Sequence, residues 1–405
     1  MTDLETAFAA LSGKRLAMDK LWRYYDGDQP LKYSSERLRT LFDAIDVRFI
    51  ENFAAGIVNA TLDRVQLEHL AVDGNPTATE LLAGILADTD LDLDADDIHL
   101  ATLVCGEAFV VAWREPQPDG TTATQAHYHD PRLCHVQYDP ANPLRKMWAA
   151  KWWAEDGGTR LNLYYPDRLE YYAAKKTGGD LKASDFAPLA DTPVVENPTG
   201  VVPVFHFRRE RRTTAGELTV DLLSLQDAVN KLLSDLMVSA EFTAIRQRYI
   251  ISNADENSIK AAANEHWLIP AGDGMGEPTK VGEFAEGDLS RFLSAINDIA
   301  SAMASISRTP KHYFFRSGGD PSGEALLTQE APHTKKVSRF IRRQRKTWQR
   351  LGAFLLALEG IEIPSGAIDP VYEAPGSVLP ETQATVRKSS VDSGIPLRTV
   401  LRREG

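Results

Sequence analysis

This chain is poor in cysteine: Cys105 and Cys134 are the only two in 405 residues, and they form no close pair. That excludes a disulfide-rich secreted framework and a zinc ribbon, and it fits a reducing cytoplasm. Long apolar runs are missing too. Nothing approaches about 18 consecutive apolar residues, so no membrane span is expected. The start, Met1-Thr2-Asp3-Leu4-Glu5, lacks the basic and apolar regions of a secretory signal. Positive charge is in deficit: the formal net charge of -12 argues against a tight general grip on nucleic acid, which needs many Lys and Arg contacts to phosphate. Catalytic signatures are also wanting. There is no Gly-x-x-x-x-Gly-Lys-Ser/Thr phosphate loop, no Gly-x-Ser-x-Gly elbow, and Gly272-Asp273-Gly274-Met275-Gly276 has the wrong spacing for a dinucleotide fingerprint. No motif pairs the many carboxylates, so no enzyme activity, catalytic residue or cofactor is predicted.

What remains is an ordinary globular composition, 43% hydrophobic and 25% charged, long enough for roughly two or three domains. One stretch departs from the acidic background. Over 307–358 a Gly/Pro-rich loop leads into an amphipathic helix whose Lys335, Arg339, Arg342, Arg343, Lys346 and Arg350 share one stripe. Val337, Phe340, Ile341, Trp348, Leu351, Leu355 and Leu358 lie opposite. No Asp or Glu falls between Glu330 and Glu359, so the acid partners that dilute such a face are missing from the helix itself. The apolar side requires burial. The basic side is either a solvated face or one that meets a polyanion or an acidic neighbouring subunit.

In chain order the pattern predicts helices over 4–25, 37–69 and 79–91, then β structure from 99 to 163 continuing through 168–174, an antiparallel meander in an α+β domain. A strand at 204–207 leads into Arg208-Arg209-Glu210-Arg211-Arg212. A long helix to about 246 carries Leu218, Leu222, Leu225, Val229, Leu232 and Leu236 as a heptad-like seam. Short strands are expected at 249–251 and 267–269, loops over 270–287, and a second helix from an Asp288 cap to Ser307. The alternating acids of 88–97 fail the calcium-loop spacing, with Ala95 and Ala101 where Gly and Glu are required. His127, His129, Cys134 and His135 suit zinc chemically, but adjacent Cys134 and His135 point to opposite faces of a strand. No metal site is predicted. His312, beside Tyr313-Phe314-Phe315, reads as a packed aromatic neighbour rather than a general base.

Several short motifs recur in one order: Trp22 to Tyr25 with Tyr33, the Asn52 to Leu62 helix, Tyr138-Asp139, and the long helix around Asn230 to Arg248. After them come Ser307-Arg308-Thr309-Pro310-Lys311-His312-Tyr313-Phe314, then Asp320-Pro321-Ser322-Gly323-Glu324-Ala325-Leu326, and Gly394-Ile395-Pro396 in the tail. This order resembles the portal proteins of tailed bacteriophages, in particular the SPP1-like portal family common in phages of actinobacteria.

The resemblance implies an α+β portal fold. Its parts would be a wing (1–216), a first stem helix (217–246), a small α/β clip (247–287), a second stem helix (288–307) and a tunnel-loop region (308–323). A long wing or tunnel helix (324–360) kinked at Pro332 would follow, then a C-terminal segment (361–405) forming a partial or reduced crown. The tunnel loop would be Arg316, Ser317, Gly318, Gly319, Asp320, Pro321, Ser322 and Gly323. By the same resemblance the chain forms a dodecameric homo-oligomeric ring at one capsid vertex of the virion, assembled in the host cytoplasm. Double-stranded DNA passes through it during packaging and ejection. Its partners would be the terminase large subunit, a head-completion or adaptor protein, and the major capsid and scaffold proteins. The basic stripe would meet DNA or the next subunit, with the 88–97 run a candidate acidic partner. Two other readings stand beside this one: a capsid or connector protein that conducts no DNA, and a nucleic-acid-processing enzyme supported only by the basic helix.

Overall fold

The computed structural model describes residues 2–30, 32, 50–118, 120–244, 248–251, 280–283, 288–314, 323–376, 388, 392 and 393. The fold is α+β, as expected, and divides into two compact units. Among the described residues no helix is long and apolar enough to cross a membrane.

The first unit comprises Met1–Gln29, Asn52–Leu223 and Ala304–Gly405. Helix α1 (Asp3–Asp26) starts at a reciprocal cap in which Thr2 and Glu5 satisfy each other's backbone N–H groups. Helix α2 (Phe53–Leu62) is capped by Asn52. The expected helix over 37–69 is thus shorter at its far end, and 37–49 lie outside the described residues. Beyond Leu62 the chain becomes strand β1 (Leu67–Val72), paired antiparallel with a strand near the other end of the chain, here β13 (Ile368–Tyr372). Helix α3 (Pro76–Asp88) begins three residues before its expected start, because Asn75 Oδ1 accepts from Ala78 N at 3.0 Å and Pro76 fits the first turn. Residues 99–105 correct the sequence expectation outright: they are helical, within α4 (Asp94–Cys105). Ala95, Ile98, His99, Ala101, Thr102, Leu103 and Val104 are all buried, and a helix covered on most sides shows no amphipathic period to read.

Strands β2 (Glu107–Pro116) and β3 (Thr122–His129) follow. Next come β4 (Cys134–Tyr138), β5 (Lys146–Glu155), β6 (Gly158–Tyr164), β7 (Arg168–Ala174), β8 (Ala187–Pro188), β9 (Val194–Glu196) and β10 (Val204–Arg208). One antiparallel sheet has the order β10-β2-β3, and a second runs β4-β5-β6-β7-β8 with β9 also on β7. The β5–β6 hairpin turns on Asp156 and Gly157, both at positive φ, the conformation that matches strand twist in a two-residue turn. Helix α1 serves two cores. Its Ala7 and Leu11 pack with Trp148, Trp152, Leu161 and Leu163, while Met18 and Tyr24 join the main core.

The second unit comprises Pro30–Glu51 and Ser224–Met303. It holds most of helix α5 (Val220–Ala244) and of helix α6 (Ser290–Ser307), with β11 (Arg248–Ile251) paired antiparallel to β12 (Lys280–Glu283). β11 matches its expectation, β12 falls where a loop was expected, and 267–269 lie outside the described residues. The leucine seam of α5 is only partly right. Gln226, Asn230 and Ser234, spaced four apart, are the fully buried stripe, whereas Leu225, Leu232 and Leu236 are half-buried. Hydrogen bonds explain the inversion: Asn230 Oδ1 accepts from Glu51 N at 3.1 Å, Gln226 donates to the Glu51 carbonyl, and Lys32 pairs with the buried Asp227 at 2.8 Å. Polar groups so paired tolerate burial.

In the first unit, helix α7 (Gly323–Leu358) lays its apolar side into the main core through Val337, Phe340, Ile341, Trp348, Leu351 and Leu355. At 36 residues it is about 54 Å long. A buried carboxylate holds it to the chain that precedes α5. Glu217 accepts from Arg209 Nε at 3.1 Å and from Lys336 Nζ at 3.1 Å, and Lys336 also donates to the Ser307 carbonyl at 2.9 Å. Burial alone would raise the Glu217 carboxyl, but the Lys336 and Arg209 charges outweigh it and hold the group below its usual range. Backbone contact seats this residue. Glu217 N donates to Leu103 O at 2.6 Å, and a Cβ on Gly216 would meet Val104 O at 2.1 Å, so only glycine permits the approach. Glu217→Leu, which strands two buried or half-buried cations, is expected to cost about 3–5 kcal/mol. Lys336→Met should cost less, because Arg209 still neutralises the carboxylate. Urea unfolding midpoints measure both.

Candidate anion-binding interface

The sequence singled out a loop and a stripe. Of the loop, 316–322 lie outside the described residues, and Gly323 opens α7. Its two flanks are tied together. His312 Nε2 lies 3.0 Å from Glu330 Oε1, and Arg64 Nη2 pairs with Glu330 Oε2 at 2.6 Å while also reaching the Tyr313 hydroxyl. His333 stands between the carbonyls of Ala60, at 2.9 Å, and Arg308, at 3.2 Å. His312 therefore does more than pack edge-on against Tyr313: it is a partner of Glu330, which corrects the purely aromatic expectation. No local pattern points to that acid, because Glu330 lies in α7 beyond the loop.

All six stripe residues, Lys335, Arg339, Arg342, Arg343, Lys346 and Arg350, are exposed. Two cavities border them. One, of about 310 Å³, is lined by Arg209, Glu210, Glu217, Lys336, Arg339 and Arg343 among others. The other, of about 370 Å³, lies between α7 and the end of β10, and its walls include Lys146, Arg208, Arg211, Arg342, Arg343, Lys346 and Arg350 over Tyr138 and Phe205. Seven cationic side chains there face a single carboxylate, Glu210. Arg343 donates to the Arg209 carbonyl and stands 4.0 Å from Glu210. Among the described residues, no ion pair neutralises Arg211, Arg339, Arg342 or Arg350. Lys335 lines neither cavity. Sequence reasoning missed Lys146 and the roles of Arg208 and Arg211; the run Arg208-Arg209-Glu210-Arg211-Arg212 was the available signal.

One lysine of the groove is buried deeply enough to lose much of its charge. Burial, followed by the Arg350 and Arg208 charges, pulls the Lys146 ammonium down to about 7. Its Nζ donates to Val204 O and stands 4.7 Å over the Phe205 ring. Arg208 lies 4.5 Å over Tyr138, a cation–π contact that fixes the guanidinium at the rim.

Behind the groove a buried chain of polar groups holds the floor. Lys14 donates to Glu107 Oε1 at 2.8 Å, Glu107 Oε2 meets His206 Nε2 at 2.9 Å, and His206 Nδ1 meets the Tyr138 hydroxyl at 3.2 Å. Burial would raise Glu107, but His206 and Lys14 hold it at about 2. Burial lowers His206 to about 4. The ring is then neutral, its Nε2–H donates to the carboxylate, and Nδ1 accepts from Tyr138.

A family profile described as "Phage portal protein, SPP1 Gp6-like" matches residues 14–372. The chain belongs to this portal family. The resemblance read from its short motifs is borne out, and the matched range contains both the loop and the basic stripe. The portal protein of Mycobacterium phage L5 is 27% identical over 158 residues, covering 36% of this chain and 32% of that protein. The portal protein of Mycobacterium phage D29 is 27% identical over 153 residues, covering 35% and 31%. These matches span about a third of each relative's length. Among solved structures, a chain from the virion of a native gene transfer agent particle aligns over 93% of this chain and 89% of its own, at 13% identity and a TM-score of 0.42.

The polar chain carries a pH signature. Burial lowers His206 to about 4 and His99 to about 3, so the unfolded portal chain takes up those protons first as pH drops below 6.5. Glu107, at about 2, favours the folded state above its ordinary value near 4.5 and loses that effect toward pH 2. Every sign agrees. Stability should fall steadily from pH 6.5 to 4, each histidine contributing up to about 1.4 kcal/mol per pH unit. A melting temperature that stays level over that range would contradict these burial assignments.

Proposed function

We propose that this chain is the subunit of a portal ring, dodecameric in the virion, that sits at one capsid vertex and passes double-stranded DNA during packaging and ejection. The observation that carries the reading is the portal-family match over 14–372. In this reading 1–216 form the wing, 217–246 and 288–307 the stem helices, and 247–287 the clip that meets the terminase large subunit and, later, the head-completion or adaptor protein. The segment 308–323 carries the tunnel loop, 324–360 the long helix, and 361–405 a partial or reduced crown. Major capsid and scaffold proteins surround the ring, which assembles in the host cytoplasm.

Physical features support the assignment. Helix α6 keeps Leu293 52% and Ile306 46% exposed, apolar surface of the kind that a ring of packed stems would cover. The tunnel-loop flanks are clamped through Glu330, so a loop that touches DNA would move on a fixed base. A chain with a net charge of -12 and only local basic patches would guide a polyanion without gripping it, since each neutralised phosphate adds to affinity. Chemistry is left to the motor, and the subunit itself acts as a structural conduit rather than an enzyme.

Negative-stain images and native mass spectrometry of the full chain test the reading, with closed rings expected and a stable monomer under all assembly conditions overturning it. Replacing Arg339, Arg342 and Arg343 together by Glu should impair assembly or packaging more than it lowers the melting temperature of the monomer. Unchanged rings with unchanged packaging would remove any such role from the stripe.

A further inference from the structure

Resting on the ring reading above, we propose that the groove between α7 and β10 receives the acidic turn 88–97 of a second copy of this chain, so that neighbouring subunits lock by charge.

The turn is an acidic feature without internal relief. Between Arg64 and Arg114 the sequence has no Lys or Arg at all. Asp88, Asp90, Asp92, Asp96 and Asp97 are exposed, and among the described residues no cation pairs with any of them. Burial and, after it, the neighbouring Asp97 charge raise the Asp94 and Asp96 carboxyls. Leu93, at the centre of the turn, is 72% exposed. The groove is the complement: Arg211, Arg342 and Arg350 are unpaired cations around an aromatic floor of Tyr138 and Phe205. Carboxylates around the turn thus meet guanidiniums around the groove, and complementary charge of this kind selects the partner and fixes the register.

Topology places the two patches where a ring needs them. Helix α4 crosses the β10-β2-β3 sheet. Its first turn lies against β3, where Asp94 meets the Tyr128 backbone and His127. At its other end the Gly106 carbonyl accepts from Arg209 N at 3.0 Å, just past β10. The turn and the groove therefore sit beyond opposite edges of one sheet, separated by a helix of 12 residues, about 18 Å. They cannot neutralise each other within one subunit. Complementary patches on opposite sides make a head-to-tail contact, and a head-to-tail contact that closes on itself makes a ring.

Charge reversal in the full chain, read by native mass spectrometry and sedimentation, tests the docking. Arg342→Glu with Arg350→Glu, and separately Asp92→Lys with Asp96→Lys, should each shift rings toward monomer by at least about tenfold in the ratio, as like charges meet across the interface. All four changes together should restore rings. A disulfide readout guards against misfolded variants: Leu93→Cys with Arg350→Cys should give a ladder of covalent oligomers on oxidation, and either cysteine alone should not. Cys105 and Cys134 are buried and free, so they add no background. Rings that persist in both reversal variants overturn the docking and leave the portal reading standing. Intact rings that lose retention of double-stranded DNA overturn it too, and assign the groove to phosphate. Failure of the fourfold variant to recover, with monomer melting unchanged, also overturns it. A wild-type chain that never leaves the monomer overturns both this proposal and the ring reading.

Discussion

A single buried carboxylate fixes how the long helix stands on the rest of the first unit. Glu217 holds Arg209 and Lys336 at 3.1 Å each, and Lys336 carries the link on to the Ser307 carbonyl. Three stretches far apart in sequence, the exit of β10, the end of α6 and the middle of α7, share that one charge. Coulomb attraction at such distances is strong inside a protein and is offset by desolvation. What the cluster confers is therefore position more than stability. Rotating α7 about its axis would take Lys336 out of reach, so the cluster sets which side of α7 is bare. The stripe from Arg339 to Arg350 faces outward because Lys336, next to it in register, is spoken for within.

A second polar chain does the equivalent for the strands beneath. Lys14, Glu107, His206 and Tyr138 run in series from α1 through β2 and β10 to β4, and Phe109 stacks on the His206 ring at 4.5 Å. Each polar atom in the series has a partner, which is the condition under which burying it is tolerable. The series also joins the β10-β2-β3 sheet to the β4-β5-β6-β7-β8 sheet at the site where the groove floor is built. Groove and scaffold are thus specified by the same few residues, and a change in one is felt in the other.

Much of this was legible in the sequence, and the failures have physical causes. The amphipathic period of α7 separated its bare and buried faces correctly, since Val337, Phe340, Ile341, Trp348 and Leu351 are buried while the stripe is exposed. Helix α4 escaped notice because burial on most sides erases period. Strand β1 read as a helix extension because its partner, β13, lies at the far end of the chain, and no local signal reports a partner. On α5 the leucine seam looked like the whole core, yet Leu225, Leu232 and Leu236 are half-buried while Gln226 and Asn230 are buried, held by bonds to Glu51 that no hydrophobic pattern can announce. The basic groove was half visible: α7 supplied one wall in the sequence, but Lys146 and Arg208 joined it only through the fold.

The pairing of β1 with β13 has a consequence in time. Val72 and Ile368 are register partners, yet 296 residues separate them, a delay of roughly 15–60 s at ordinary synthesis rates. Until Ile368 emerges, Leu70 and Val72 lack their strand partner, and the pocket that later encloses Trp348 stands open. A nascent chain of this kind is a poor template for association, since its apolar surfaces would capture others indiscriminately. Closure by β13 is therefore a late event: the surface around β1 is finished only after Ile368 has been synthesised.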